Sequence, residues 1–271
     1  MNESPKPGPH LFRNTRSTAV PVYRGPQRSA QQPHGFTDSI PPRGDASLIG
    51  YADTGLLFAF GSATEHAIRV AFLERYKNRL RTDDAVRVEV KRWARKDAIR
   101  LPKEERPKVN AAKTAERALL VSIELCVQPI DTRLLNAIFD QLCEYDTGGD
   151  WRQHREGDPA MTAPRRLEQH AGEAVLIAHA FSQADSLLLT NDAGASAIAA
   201  NRGIKAWHFG HVLRELVCNS KGSLSVAELA KTFASAMSIA GIRDDLRPKD
   251  LNNWMTCVGL AGGTCAVCAS T

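Results

Sequence analysis

The fold of this chain is decided by one stretch, 171-AGEAVLIAHAFSQADSLLLTNDAGASAIAANRGIKAW-207. Its first twelve or so residues are apolar and helical in pattern, and residues 186–190 form a short apolar run typical of a buried strand. An alanine-rich helix follows over 193–201, Gly203 suits the residue after a helix end, and residues 204–207 predict a further strand. Helices that alternate with short apolar strands predict a parallel sheet between two layers of helices.

The same alternation begins near residue 46. Residues 47–52 predict a short buried strand that ends at Asp53, and a run of apolar residues predicts a helix directly after it. Further helices are predicted at about 64–80, 83–96, 107–125 and 130–144. We therefore predict an α/β fold, a three-layer α/β/α domain with a short parallel sheet. It spans residues 46–220 and includes a helical insertion at about 100–165.

The two ends of the chain differ from this domain. Eight of the fourteen prolines fall within residues 1–45, which predicts a disordered, proline-rich arm. Residues 221–271 predict a helical C-terminal extension. Within that tail, Cys265 and Cys268, with Cys257 upstream, have the spacing of half a zinc site. A second close pair is missing, so we favour inert thiols.

The composition narrows the class of protein. The 271 residues are 43% hydrophobic and 24% charged, which is enough to bury a sizeable core. The mean hydropathy is −0.30, and no apolar run is long enough for a membrane span. The N-terminus lacks an apolar signal core, and the six cysteines are scattered, so we expect a cytoplasmic protein with no membrane partner.

Positive charge is concentrated in the middle of the chain. Residues 69–117 contain sixteen basic and eight acidic residues, a net charge of +8, whereas the whole chain has +5. Such a stretch is a candidate contact for a polyanion. The alternative is a set of solvated helix faces.

Four acidic residues are placed where a site would form. Asp53 and Asp192 each follow a predicted strand, Glu173 lies in the first turn of a helix, and Glu89 flanks the buried stripe of another. Carboxylates that converge repel each other, and a divalent cation such as Mg²⁺ or Mn²⁺ is the usual reason for their convergence. The alternative is structural: the two aspartates cap helices, and the helix dipole stabilises Glu173. Asp83, Asp84 and Asp97 are further acidic residues near Glu89.

Four motifs in this order resemble the PIN domain nucleases. They are Ala52-Asp53-Thr54 after the first strand, Val86-Arg-Val-Glu89-Val-Lys-Arg on a helix, His170-Ala-Gly-Glu173-Ala-Val-Leu, and Leu188-Leu-Thr-Asn-Asp192-Ala-Gly-Ala. The last two together are the specific part, and the resemblance covers roughly residues 47–220. The N-terminal arm, the insertion and the C-terminal part depart from the compact pattern of this family.

The resemblance implies a metal-dependent endoribonuclease that hydrolyses RNA phosphodiester bonds. Asp53, Glu89, Glu173 and Asp192 would be both the catalytic residues and the ligands of Mg²⁺ or Mn²⁺. Three residues would line the site: Thr54, Thr190 and Asn191. The basic residues expected to contact RNA are Arg87, Lys91, Arg92, Arg95, Arg165 and Arg166.

Many proteins of this family are toxins of bacterial toxin–antitoxin pairs, so a small antitoxin protein is an implied partner. A homodimer is a further expectation. Two other functions stay open: a catalytically inactive PIN-like module that binds RNA or protein, and a nuclease directed at DNA. His208 and His211 are candidates for RNA contact or proton donation, although packing is the commoner role of such histidines.

Overall fold

The computed structural model describes residue 36 and residues 48–63, 66–147, 170–219 and 224–240. In these residues one sheet contains the strands β1 Ile49–Ala52, β2 Leu80–Thr82, β3 Glu124–Leu125, β4 Ser186–Leu189 and β5 Lys205–Trp207. Their order is β3-β2-β1-β4-β5, and every neighbouring pair is parallel. The predicted α/β fold with a parallel sheet is confirmed.

Helices cover both faces of the sheet. The α-helices of the described residues are α1 Thr54–Ser62, α2 His66–Arg75, α3 Asp84–Ala94, α4 Arg106–Thr114, α5 Thr132–Thr147, α6 Ala171–Ser182, α7 Ala193–Ala200, α8 Phe209–Asn219 and α9 Val226–Ala240. The chain passes from β1 through β2 to β3 at one edge of the sheet, and it then crosses back past β1 to β4 and on to β5 at the other edge. Because such crossovers are right-handed, the two sets of helices lie on opposite faces. Accordingly, α5, α6 and α7 contact one another, while α1, α4 and α9 form a separate group.

Two of the five strands, β2 and β3, were not predicted. The predicted helix over 64–80 ends at Arg75, Asn78 adopts the left-handed backbone with φ 61°, and β2 follows. The predicted helix over 107–125 contains α4, a π-helical segment at Ala115–Leu119 and then β3. Both strands are short and lie at the ends of segments predicted as helices. β5 is as short as β2 but follows Gly203, which marked the end of the helix before it.

The described parts of the predicted insertion and extension pack with the rest of the domain. β3 lies within the insertion and pairs with β2 at the edge of the sheet. In α9, Leu229 and Phe233 are buried in the same hydrophobic core as α1. None of the helices in the described ranges has the length and apolar character needed to cross a membrane.

Of the predicted N-terminal arm, only Phe36 is described. Its side chain is buried, and its ring meets that of His208 edge to face, with 5.1 Å between the centroids. The other residues of the arm lie outside the described residues. So do two of the predicted RNA-contacting residues, Arg165 and Arg166, and the three C-terminal cysteines, Cys257, Cys265 and Cys268.

The packing of α1 against α4 depends on Gly61. A Cβ atom at this position would lie 2.1 Å from the carbonyl oxygen of Ala111. That contact is with backbone, so it cannot be relieved by a change of rotamer. Gly61 therefore sets how closely the two helices approach.

We predict that Gly61→Ala lowers the free energy of unfolding by about 1–3 kcal/mol, since relief of the overlap must push the helices apart. Gly172→Ala is the matched control, because its Cβ would meet the Cγ2 methyl of Val86 at 3.1 Å, a side-chain atom that can shift, and would meet backbone only at 3.9 Å. Urea unfolding of both variants measures the difference. Equal stability of the two variants would contradict the proposed helix contact.

Candidate functional site

Three of the helices that follow strands, α1, α3 and α7, have an aspartate as N-cap. Asp53 accepts a hydrogen bond from the backbone N–H of Leu56 at 2.7 Å, and Asp83 accepts one from Ala85 at 2.9 Å. Asp192 accepts one from Ala195 at 2.6 Å. The capping role considered for Asp53 and Asp192 is therefore present in the structure, and it holds both carboxylates at the carboxyl edge of the sheet.

The register of β1 and β4 places the ends of these strands side by side. Ala52 pairs with Leu189, and the backbone N–H of Asp53 donates to the carbonyl of Leu189 at 3.0 Å. Asp53 therefore lies next to Thr190, whose hydroxyl donates to Oδ2 of Asp53. The same hydroxyl oxygen accepts from the backbone N–H of Asp192 at 3.0 Å. One threonine thus links the two aspartates.

The turn after β4 is also tied to the start of α8. The backbone N–H of Phe209 donates to Oδ1 of Asn191 at 2.9 Å, and Thr190 and Asn191 are both buried. His208 and His211 are buried beside this turn, with their rings 4.0 Å apart. Nδ1 of His208 accepts from the backbone N–H of Gly210, so the structure gives these histidines packing and capping roles.

Glu89 and Glu173 approach the aspartates from α3 and α6. Oε2 of Glu89 accepts from the hydroxyl of Thr54, the residue after Asp53, at 2.7 Å. Gly172 faces Val86 where α6 packs on α3, and this contact places the first turn of α6, with Glu173, at the same edge. We call Asp53, Glu89, Glu173 and Asp192 the acidic cluster.

The residues of the acidic cluster act on each other electrostatically. Burial is the main reason that the pKa of Asp53 rises from 3.8 to about 7. The charges of Asp192 and Glu89 raise this pKa further, and the hydrogen bonds from Thr190 and Leu56 oppose the rise. Desolvation, followed by the charges of Asp192, Asp53 and Glu89, raises the pKa of Glu173 well above its usual value. The four predicted site residues are thus brought together.

The other acidic residues near Glu89 lie elsewhere. Oδ2 of Asp83 faces Nε2 of His179 at 3.9 Å, and Asp84 is exposed. Asp97 caps the short turn at Ala98–Arg100 and pairs with Arg100 at 3.3 Å. The structure therefore selects Glu89 as the acidic residue of this segment that joins the others.

The predicted RNA-contacting residues of α3 divide into two groups. The guanidinium of Arg87 donates to the backbone carbonyls of Leu120, at 3.3 Å, and Ile123, at 2.8 Å, so it anchors the segment before β3. Lys91, Arg92 and Arg95 are exposed.

One residue next to the site was missed by the sequence analysis. Lys108 on α4 is partly buried, and its charge interacts with that of Glu89. Burial lowers the pKa of Lys108, and Glu89 opposes the shift. Only the general excess of basic residues over 69–117 marked this part of the chain, because the interaction joins residues on two different helices.

The donor set of the acidic cluster suits a hard divalent cation. Carboxylate and hydroxyl oxygens are the ligands that Mg²⁺ and Mn²⁺ prefer, and a carboxylate has about four lone-pair sites, so a capping bond leaves acceptor capacity. As the side chains stand, the described residues hold no group of three or more His, Cys, Asp or Glu that could bind a metal ion. Side chains of the cluster would have to move closer together to enclose one.

Comparisons of the chain with protein-family models, with curated proteins and with solved structures found no match.

The raised pKa of Asp53 predicts a pH dependence of stability. A carboxyl whose pKa is 3.8 in the unfolded chain and about 7 in the fold binds its proton more tightly when folded. This group therefore lowers the stability of the metal-free protein as the pH rises through that window, by up to about 1.4 kcal/mol per pH unit.

Asp53→Asn removes this titration and keeps an N-cap side chain, since Asn caps as well as Asp. We expect the variant to gain stability relative to wild type between pH 5 and pH 7 at roughly that slope, and the difference to level off above pH 8. Chemical denaturation in chelator at several pH values measures it. A difference that does not change with pH would show that Asp53 is not the titrating group.

Proposed function

We propose that this protein is a metal-dependent endoribonuclease with a PIN-like fold. The observation that supports this proposal is the convergence of four acidic residues from β1, α3, α6 and β4 at the carboxyl edge of a parallel sheet. The strand order changes direction between β1 and β4, and open α/β sheets bind their ligands at such a switch point.

The electrostatics of the acidic cluster support a bound cation. Negative charges brought together at a buried edge oppose folding, and a divalent ion would remove that cost. Asp53, Glu173 and Asp192 would hold the ion together with Glu89. When bound, Mg²⁺ or Mn²⁺ lowers the pKa of a water molecule and stabilises charge on the oxygens of a phosphodiester.

The surrounding residues would keep the carboxylates in place. The hydroxyl of Thr190 orients Asp53 and fixes the backbone of Asp192, while the hydroxyl of Thr54 orients Glu89. Asn191 holds the turn after β4 to α8. The hydrogen bonds that hold the two aspartates and Glu89 in place thus come from within the protein and would not depend on substrate.

Exposed cations on α3 would hold the RNA strand. Lys91, Arg92 and Arg95 supply positive charge on the helix that also contains Glu89, and phosphates are the main electrostatic target on a nucleic acid. A toxin role in the cytoplasm, controlled by a small antitoxin that covers the acidic cluster, is part of the same proposal.

A second candidate function is an inactive module that binds RNA or protein. The observation that favours it is the capping role of Asp53 and Asp192, because each has a structural reason to be acidic without any chemistry.

Substitution of the capping aspartates tests the two functions against each other. Labelled single-stranded and hairpin RNAs, and DNAs of the same sequences, are incubated with the protein and Mn²⁺, Mg²⁺ or chelator. We expect cleavage of RNA that chelator abolishes and that Asp53→Asn and Asp192→Asn lower by at least about 100-fold, since both would lose a metal ligand.

Asp83→Asn is the matched control. This variant has the same change at a third N-cap, which follows β2 and lies outside the acidic cluster. We therefore expect it to cleave RNA like wild type. Cleavage that survives chelation would contradict the metal-dependent mechanism. Absence of cleavage by folded wild-type protein would favour the binding module, and cleavage of DNA alone would favour a DNA-directed nuclease.

Metal binding has a second readout that needs no substrate. With Mn²⁺ at about 100 times its Kd, the folded state gains about 2.7 kcal/mol, which raises Tm by several degrees in a protein of this size. We expect Asp53→Asn and Asp192→Asn to reduce this rise and Asp83→Asn to retain it, as measured by thermal melts with and without Mn²⁺. An equal rise in all four proteins would locate the bound metal outside the acidic cluster.

A further inference from the structure

Two lysine side chains meet on one tryptophan ring beside the acidic cluster. Nζ of Lys96, two residues after the end of α3, lies 3.2 Å from the centroid of the Trp93 ring. Nζ of Lys108, on α4, lies 4.3 Å from the same centroid and 5.5 Å from that of Phe58. We call Lys96 and Lys108 the lysine pair.

The ring of Trp93 stabilises both ammonium groups. The negative face of an indole attracts an ammonium group, and Trp93 is itself held by an edge contact with Phe58, whose ring centroid is 6.5 Å away. The charge of Lys96 nevertheless acts on Lys108 and, after burial, contributes to the lowering of the pKa of Lys108. The charges of Glu89 and Glu105 act on Lys108 in the opposite sense. The arrangement concentrates two positive charges around Trp93, which favours an anion there.

Glu89 connects the lysine pair to the acidic cluster. It lies one helical turn before Trp93 on α3, it accepts the hydrogen bond from Thr54, and its charge interacts with that of Lys108. A single segment of a strand could therefore contact the lysine pair and the acidic cluster together.

The chemistry of the lysine pair favours a phosphate group over a nucleobase. The ammonium groups already lie over the ring of Trp93, so a base could stack there only by displacing them. The charged oxygens of a phosphate can bind compact ammonium groups in many orientations, whereas a planar guanidinium binds best in a bidentate geometry. The charge of Arg92, which also acts on Lys108, adds to the local positive potential.

We propose that Lys96 and Lys108, positioned by Trp93, form a subsite that binds a backbone phosphate of the nucleic-acid strand next to the acidic cluster. That the strand is a substrate rests on the proposed function. The phosphate subsite itself requires only that the protein binds nucleic acid.

Binding is measured apart from cleavage, by fluorescence anisotropy of the full chain with a labelled 20-nucleotide single-stranded RNA in chelator. We expect Lys96→Gln combined with Lys108→Gln to weaken binding by roughly tenfold near 0.1 M salt. Loss of one phosphate contact should also lower the slope of log affinity against log salt by about 0.7. A phosphate contact does not read the sugar, so a DNA strand of the same sequence should lose the same factor.

The control removes the same charge elsewhere. Lys77 and Lys103 are exposed lysines, and their double change to Gln should reduce binding only slightly. Trp93→Leu keeps every charge but removes the ring that positions the two lysines, so we expect it to weaken RNA binding, as the lysine variant does. Circular dichroism and thermal melts check that each variant is folded.

The outcomes separate this proposal from the nuclease function. If the lysine variant binds RNA like the Lys77/Lys103 control, the phosphate subsite is wrong, whether or not wild type cleaves RNA. If the lysine variant loses binding while wild type cleaves no strand, the subsite stands and the nuclease function fails. Loss of RNA binding with unchanged DNA binding would overturn the phosphate assignment, because the contact would then read the sugar.

Discussion

The parallel pairing of β1 with β4 is the constraint on which the site depends. Its register sets Ala52 against Leu189, so the first residues beyond the two strands, Asp53 and Thr190, stand side by side. A shift of this register by one residue would separate them and would turn the side chains of the shifted strand to the opposite face, although both strands are buried almost throughout. The hydrophobic core thus stabilises the pairing, and the pairing in turn positions the polar edge.

The two aspartates of the acidic cluster combine a structural and a chemical property. As N-caps they satisfy backbone N–H groups of α1 and α7, which stabilises the fold. Asp53 is buried and Asp192 is half-buried. Their negative charges, close to those of Glu89 and Glu173, oppose folding, and burial is the main reason that the pKa of Asp53 rises to about 7. An asparagine would cap as well without that cost, so the presence of aspartate at both positions is explained most directly by a need for negative charge.

Sequence patterns identified the elements that are long or fully apolar. The strands around residues 50 and 188 and the helices on either side of them were predictable, because each buries a continuous apolar run. β2 and β3 were not, since each is short and continues a segment with a helical pattern, so pairing with a neighbouring strand decides its conformation. The role of Arg87 was likewise hidden, because its acceptors are backbone carbonyls of Leu120 and Ile123, and every residue has a carbonyl.

The sequence by itself determined the α/β class, the helices that follow β1 and β4, and which four acidic residues come into question. These features depend on apolar periodicity and on short motifs, which are local. Only the tertiary structure decided that Glu89, and not Asp83, Asp84 or Asp97, joins the others, and that Lys108 lies beside it. The physical reason is that the packing of α3 against α1, α4 and α6 sets these distances, and packing depends on side chains far apart in the chain.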